Sequence, residues 1–108
     1  MPQMRAEFVI DSYGGVTKVA KALGVAKSQP SRWRDGLERP GVQTAQRLQD
    51  LDYVLSRAQL VWAPQVAVTW LESSNGFLDG ARPIDVLMTR GPAEVLGALD
   101  ATMSGAFA

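Results

Sequence analysis

The chain has 108 residues, a length that suits one average domain or two very small ones. Hydrophobic residues make up 46% and charged residues 20% of it, an ordinary globular composition that argues against global disorder. The chain contains neither cysteine nor histidine. This excludes disulfides and Cys-based zinc sites, and it removes the commonest general base and the commonest transition-metal ligand.

The charges of the chain are divided unevenly between its two parts. Residues 1–42 carry seven basic and four acidic residues, a net charge of +3, whereas residues 43–108 carry four basic and seven acidic residues, a net charge of −3. This division suggests two partners of opposite charge. No stretch approaches the ~20 apolar residues of a membrane span. The first seven residues lack a signal-peptide pattern, so we expect a cytoplasmic protein that does not bind a membrane.

The first 36 residues predict three short helices. Apolar residues at helical spacing run from Met4 to Tyr13 and again from Val16 to Leu23, and a pair of glycines separates the two segments. Gly24 breaks the second helix where a helix-turn-helix motif needs its turn. Ser28 is expected to cap a third helix, Gln29 to Asp35.

The segment 16–36 resembles a phage-repressor-type helix-turn-helix, in which the helix after the turn enters the major groove. Placed on this sequence, the motif implies that Trp33 faces the core. The residues expected to face DNA are Lys27, Ser28, Gln29, Ser31, Arg32 and Arg34. Arg32 could bind a guanine edge or a phosphate and Gln29 could pair with adenine, whereas Lys27, Ser28 and Arg34 are better suited to phosphate contacts.

Pro30 departs from this motif, because such motifs usually place a branched apolar residue there. In the first turn a proline costs no helical hydrogen bond, so we expect the helix to form, with a changed start and approach angle. The alternative is a small solvated helical hairpin, or a helix-turn-helix that only dimerises. The position of Gly24, the buried-type Trp33 and the local excess of positive charge favour DNA binding.

A long helix is predicted from Val42 to Trp62, where apolar residues recur in steps of three and four until Pro64 stops the pattern. It would have about twenty residues and be ~30 Å long. Further apolar residues lie off the main stripe, namely Tyr53, Val54, Leu60 and Val61. A helix that is apolar on two sides usually has two neighbours. We expect this helix to connect the two parts of the chain and to use its spare face in a homodimer; the alternative is that the monomer fills both faces.

The last forty residues are organised around the stretch 69–88. A helix is expected to end at Trp70-Leu71 because Asn75-Gly76 tolerates the left-handed backbone of a helix terminus or turn. Two large apolar residues, Phe77 and Leu78, follow in the loop, and Pro83 suits the start of a short helix through Leu87. The residues that define this motif are Trp70, Leu71, Asn75, Leu78, Gly80, Arg82, Pro83, Asp85 and Leu87. A last helix is predicted after Pro92, with an apolar stripe ending at Met103.

Arg82 could grip a ligand, but bracing a turn through Asp79 or Asp85 is the commoner role of such an arginine. The carboxylates of the segment lie singly along the sequence, and there is no glycine-rich phosphate loop beside them. We therefore predict no catalytic residue, no metal site and no cofactor.

The order of these features resembles the antitoxin family usually called MbcA/ParS/Xre. Its C-terminal toxin-binding domain carries Trp-Leu, Asn, Leu-x-Gly and Arg-Pro-x-Asp-x-Leu in the same order, and a helix-turn-helix lies upstream. The resemblance implies an all-α, non-enzymatic antitoxin of a type II toxin–antitoxin system, which neutralises a RES-domain NAD-consuming toxin and represses its own operon by binding operator DNA. It further implies a homodimer that forms a larger hetero-oligomer with the toxin. The expected regions are a helix-turn-helix at 1–41, a connecting helix at 42–65 and a toxin-binding domain at 66–108.

The C-terminal tail is the expected toxin contact. It consists of Met103, Ser104, Gly105, Ala106, Phe107 and Ala108. Our hypothesis is that the tail lies in the toxin's active-site cleft, with the Phe107 ring buried and the Ala108 carboxylate in place of an anionic substrate group. The alternatives are that the tail packs on its own chain or frays. For the whole protein, the alternative is a stand-alone Xre-like transcriptional repressor without a toxin partner.

Overall fold

Residues 2–105 are described by the computed structural model of the chain, with side chains from residue 5 onward. They form seven α-helices and one short 3₁₀ helix. The helices are α1 Pro2–Tyr13, α2 Val16–Leu23, α3 Ser28–Arg34, α4 Val42–Ala58, α5 Pro64–Leu71, α6 Pro83–Arg90 and α7 Ala93–Met103, and the 3₁₀ helix is Gly76–Leu78. These elements confirm the predicted all-α fold.

The turn between α2 and α3 begins as predicted but continues differently. Gly24 ends α2 with a φ of 70°, the left-handed conformation that glycine adopts at little cost. Ser28 does not cap α3, because it is already the first helical residue and no side chain caps the helix from the position before it. Instead, the Gln29 side chain accepts the Ala26 N–H at 3.2 Å, and the Gln29 N–H donates to the Ala26 carbonyl at 3.0 Å. This exchange replaces the predicted Ser28 cap.

The long helix α4 has 17 residues and is about 25 Å long. The prediction that it reaches Trp62 is wrong, because regular α-helix ends at Ala58 and the next residues continue as turns. The Trp62 N–H still donates to the Ala58 carbonyl, at 2.9 Å. After Gln59 the backbone hydrogen bonds tighten: the Leu60 N–H donates to the Arg57 carbonyl at 3.2 Å and the Val61 N–H donates to the Ala58 carbonyl at 3.1 Å, so the last turn is no longer regular α-helix. Pro64 starts α5, and Ala63 before it has an extended backbone with a ψ of 154°.

The core surrounds α4, which packs against α1, α2, α5, α6 and α7. Its buried residues are Leu48, Asp50, Leu51, Val54, Leu55 and Ala58. Buried apolar residues from Ala6 in α1 to Leu99 in α7 belong to the same cluster. Because the three predicted regions share this core, their boundaries at 41/42 and 65/66 stay predictions. Val54, which was predicted to belong to the second apolar face of α4, is buried within the monomer, whereas Tyr53 is 52% exposed. The exposed apolar face of α4 is therefore narrower than predicted.

Candidate functional site

The loop between α5 and α6 carries the middle of the C-terminal motif. Asn75 has an extended backbone with a φ of −127°, and its side-chain oxygen accepts the Phe77 N–H at 2.9 Å, which caps the 3₁₀ helix. The left-handed residues are Asp79, with a φ of 57°, and Gly80, with a φ of 88°. The expectation that Asn75-Gly76 would be left-handed is therefore wrong, because a residue that caps a helix through its own side chain needs an extended backbone.

Hydrogen bonds across its base close this loop into a compact unit. The Asn75 N–H donates to the Ala81 carbonyl at 3.1 Å, and the Gly80 N–H donates to the Asn75 carbonyl at 2.8 Å. The Ser74 hydroxyl donates to the Gly80 carbonyl at 2.7 Å. The loop is thus closed by its own backbone together with the side chains of Ser74 and Asn75.

The two apolar residues of the loop play different parts. Leu78 is buried in the core, whereas Phe77 remains 43% exposed. The Phe77 ring lies against α7 at Gly97, where an added Cβ would stand 3.4 Å from the ring. Gly97 therefore lets an aromatic side chain rest on the helix surface instead of entering the core.

Trp70 connects α5 to the last turn of α7. Its indole N–H donates to the Thr102 hydroxyl at 3.2 Å, and its ring centroid lies 6.0 Å from that of Trp62. The hydrogen bond to Thr102 holds α5 beside the end of α7, from which the C-terminal tail continues. The motif residues Leu71, Pro83 and Leu87 are buried.

The tail is described only in part. Met103 is half-buried at the end of α7, and Ser104 and Gly105 are exposed. Ala106, Phe107 and Ala108, which carry the predicted ring and carboxylate contacts, lie outside the described residues.

Arg82 and Asp85 form a bidentate ion pair at the start of α6. The guanidinium donates to the two carboxylate oxygens of Asp85 at 2.8 and 2.9 Å. These hydrogen bonds lower the pKa of the Asp85 carboxyl and raise the pKa of the Arg82 guanidinium. This geometry orients Arg82 towards its own helix, which is the bracing arrangement described above for such an arginine.

Tyr13 and Glu72 form a contact that the sequence analysis missed. The buried Tyr13 hydroxyl donates to the Glu72 carboxylate at 2.9 Å and so ties α1 to the residue that follows α5. Burial raises the pKa of Tyr13, and the hydrogen bond to Glu72 raises it further. Glu72 also lines a cleft of about 280 Å³ with Lys18, Lys21, Arg82 and Asp85, between α2 and the motif loop.

Arg47 connects α4 to α6, a second contact that the sequence periodicity could not predict. Its guanidinium donates to the Met88 carbonyl near the end of α6 at 3.1 Å and to Asp50 at 3.2 Å. Asp50 is only 6% exposed and also accepts the Gln46 side-chain amide at 2.9 Å. A buried carboxylate is therefore paired and hydrogen-bonded, as its burial requires.

In the helix-turn-helix, α3 buries Pro30 and Trp33. Pro30 is fully buried, so it fills the core position for which a branched apolar residue was expected. Of the six residues predicted to face DNA, Lys27, Ser28, Arg32 and Arg34 are exposed, and Gln29 and Ser31 are half-buried.

Several of these side chains already have partners within the chain. Arg32 lies 3.6 Å from Glu38, and Arg34 lies 3.4 Å from Asp35. Both pairs are solvent-exposed and weak, so a phosphate could replace either carboxylate. The Gln29 oxygen that a bidentate contact with adenine would use accepts the Ala26 N–H.

Across residues 2–105, no three acidic, histidine or cysteine side chains come together as a metal-ion cluster would require. Within the same part of the chain, no helix combines the length and the apolar character that crossing a membrane demands.

Neither a protein-family model nor a curated protein matches the chain. Its structure is similar to a chain of the crystal structure of the M. tuberculosis MbcT-MbcA toxin-antitoxin complex, with a TM-score of 0.81 and 25% sequence identity. The similarity covers 98% of this chain and 96% of that chain, so it includes both the helix-turn-helix and the C-terminal motif. It confirms the resemblance to MbcA-type antitoxins that the order of the motif residues indicated.

Proposed function

We propose that this chain is the antitoxin of a type II toxin–antitoxin pair, a cytoplasmic regulatory protein without enzymatic activity that binds and neutralises a toxin. The observation that carries the proposal is the similarity, over 98% of the chain, to a chain of a toxin–antitoxin complex. The motif residues add independent support, because they build one loop and its two flanking helices.

The proposed partner is a RES-domain toxin that consumes NAD, as the resemblance implies. The proposed contact is the tail, Met103 to Ala108. Support comes from the bond of Trp70 to Thr102, which holds the end of α7 against α5. A tail that follows a well-anchored helix end loses less conformational entropy on binding than a tail that follows a frayed helix end.

The test of toxin binding is co-expression of this chain with the product of the neighbouring reading frame, followed by size-exclusion chromatography with light scattering. A stable complex is expected, and its mass gives the stoichiometry. Deleting Gly105 to Ala108 should abolish the complex. An Arg32→Ala variant serves as the matched control, because its substitution lies on α3 and should leave the complex intact. A truncated chain that still binds fully would overturn the proposed role of the tail.

The second proposed activity is repression of the chain's own operon through α3. Support comes from the net charge of +3 in residues 1–42 and from the exposure of Lys27, Ser28 and Arg32. Binding to the upstream DNA should weaken steeply with salt, because each neutralised phosphate releases counterions. Arg32→Ala should weaken binding and flatten the salt dependence, while the tail truncation should leave both unchanged.

A stand-alone repressor remains the competing function, and the exposed basic residues of α3 are the feature that favours it. It would bind DNA with the same salt dependence but form no complex with a neighbouring gene product. The co-expression experiment separates the two functions.

A further inference from the structure

The cleft between α2 and the motif loop has one wall from each part of the chain. Lys18 and Lys21 of α2 lie on one wall, and Glu72, Arg82 and Asp85 lie on the other. The cleft has a volume of about 280 Å³ and carries three cationic and two anionic side chains, a net charge of +1. Neither the proposed toxin contact at the tail nor the proposed base contacts of α3 use this cleft.

Both carboxylates of the cleft already have donors within the chain. Asp85 accepts two hydrogen bonds from the Arg82 guanidinium, at 2.8 and 2.9 Å, and Glu72 accepts the Tyr13 hydroxyl at 2.9 Å. A guanidinium has five N–H groups. Two of those of Arg82 bind Asp85, so the others can donate to a second acceptor. Arg82 therefore braces its own helix and still presents donors to the cleft.

The two lysines have no comparable partner. Lys18 and Lys21 are exposed, and neither of them forms an ion pair within residues 5–105. They lie three positions apart on α2, where like charges are neighbours and destabilise a helix slightly. The Arg82 guanidinium on the opposite wall adds to this repulsion. An anion between the two walls would offset the repulsion and would accept charge-assisted hydrogen bonds from both sides.

The position of α2 within the helix-turn-helix indicates which anion this is. In such a motif the second helix, here α3, enters the major groove, while the first helix, here α2, crosses the DNA backbone. Exposed cations on the first helix are therefore placed to meet phosphates. A backbone that meets Lys18 and Lys21 also meets Arg82, because the three side chains line one cleft.

The other end of α2 shows that this closeness to the C-terminal motif is not confined to one point. Leu23, Gly24 and Val25 line a second cleft together with Met88 of α6. The start of α6 thus lies near the middle of α2, and the end of α6 lies near the turn of the helix-turn-helix. A DNA strand that follows α2 would run beside α6 as well.

We propose that the cleft binds a phosphate of the operator backbone, with Lys18 and Lys21 on one side and Arg82 on the other. The C-terminal motif then contributes directly to DNA binding. A phosphate contact carries no sequence information, but it fixes the position of the protein on the duplex and hence the register of α3 in the major groove. This inference rests on the DNA-binding part of the proposed function and does not depend on toxin binding.

The first test removes the Arg82–Asp85 pair without changing the net charge of the chain. In the double variant Arg82→Gln/Asp85→Asn the general attraction to DNA is kept and the phosphate contact is lost. Its affinity for the upstream DNA at fixed salt should fall about tenfold, the effect of losing a hydrogen bond to a charged group. The slope of log affinity against log salt should become shallower by about one.

The matched control is Arg57→Gln/Asp100→Asn. It removes another exposed ion pair, between the last turn of α4 and α7, and also keeps the net charge. Its affinity for DNA and its salt dependence should equal those of the wild type. Both variants should remain folded because exposed ion pairs contribute little to stability, and circular dichroism checks this.

Glu72 provides a test with the opposite sign. Its carboxylate lies in the same cleft and repels a phosphate, so Glu72→Gln should strengthen binding to upstream DNA several-fold. The glutamine side chain keeps an oxygen that can accept the Tyr13 hydroxyl, which preserves the link to α1. Weaker binding by a folded Glu72→Gln variant would show that the cleft does not face DNA.

The second test locates the phosphate on the DNA. Duplexes in which one phosphate at a time is replaced by an uncharged methylphosphonate are titrated with the wild type and with Arg82→Gln/Asp85→Asn. One linkage should weaken binding of the wild type but not of the variant, because the variant has already lost that contact. Identical profiles for the two proteins at every linkage would overturn the inference.

Inorganic pyrophosphate probes the other source of phosphate, a small free ligand. Tight binding of pyrophosphate, with unchanged DNA affinity in Arg82→Gln/Asp85→Asn, would assign the cleft to such a ligand and overturn the DNA contact. If the wild type itself does not bind the upstream DNA, the repressor part of the proposed function fails together with this inference. If the wild type binds and the folded double variant binds equally well, this inference alone fails.

Discussion

The hydroxyl of Tyr13 donates a hydrogen bond to the carboxylate of Glu72 at 2.9 Å, across 59 positions of the sequence. Tyr13 is the last residue of α1, and Glu72 follows the last residue of α5. The bond therefore connects the predicted DNA-binding region to the start of the motif loop. It is one of the polar contacts that make the two parts of the chain a single structure.

Replacing Tyr13 by phenylalanine should lower the free energy of unfolding by about 1 kcal/mol, because the ring is kept and one hydrogen bond to a carboxylate is lost. Glu72 is exposed and can be solvated after the change, which keeps the loss small. Urea unfolding of both proteins measures the difference. Tyr53→Phe is the matched control and should change stability by less than ~0.5 kcal/mol, since Tyr53 is 52% exposed. Equal effects of the two substitutions would show that the bond contributes nothing.

The same contact predicts how stability depends on pH. Burial and the bond to Glu72 raise the pKa of Tyr13 above its ordinary value near 10. The folded state therefore holds this proton more tightly than the unfolded state. The resulting stabilisation is fully present below pH ~10 and is lost as the pH rises above it. Unfolding measured from pH 9 to 11 should show a steeper loss for the wild type than for Tyr13→Phe. Parallel curves would contradict the assignment.

Arg47 should matter more for stability than an arginine of an exposed pair. Arg47→Ala removes the charged partner of the Asp50 carboxylate, which is 6% exposed and keeps the hydrogen bond from the Gln46 amide, and it also removes the bond to the Met88 carbonyl. We expect a loss of about 2 kcal/mol. Arg90→Ala, which breaks the exposed pair with Glu94, should cost less than ~0.5 kcal/mol. Thermal or urea unfolding of the two variants checks the order, and a smaller effect at Arg47 would refute it.

Glu38 is expected to oppose DNA binding, because its carboxylate lies 3.6 Å from the Arg32 guanidinium. Glu38→Gln should strengthen binding to upstream DNA several-fold, since it removes a negative charge and frees Arg32 for phosphate. Glu94→Gln removes a charge from α7 and should have little effect. The measurement is an affinity titration of both variants at fixed salt. If Glu38→Gln weakens binding, α3 does not meet DNA with the proposed face.

The sequence allowed most helices to be predicted, because their starts and stops are local. Gly24 ends α2 and Pro83 begins α6, and at both places the backbone preference of the residue itself decides the conformation. The errors arose at helix ends. The hydrogen bonds after Gln59 tighten and end α4 before Trp62, and the Gln29 side chain accepts the Ala26 N–H at the start of α3, where a Ser28 cap was predicted.

The connections between helices could not be predicted in the same way. Whether Tyr13 meets Glu72, or Arg47 meets the Met88 carbonyl, depends on how helices distant in sequence pack. The surface of α4 could be predicted only in part. Periodicity identified Tyr53 and Leu60 as extra apolar residues, but it could not show that Arg47, Asp52 and Arg57 form ion pairs within the chain.

The measurement that tests the central claim most directly is growth of cells that express the neighbouring gene product with and without this chain. Expression of that product alone should stop growth, and co-expression of this chain should restore it. A chain lacking Gly105 to Ala108 should fail to restore growth while remaining folded. Absence of toxicity, or full toxicity in the presence of the intact and well-expressed chain, would contradict the antitoxin function.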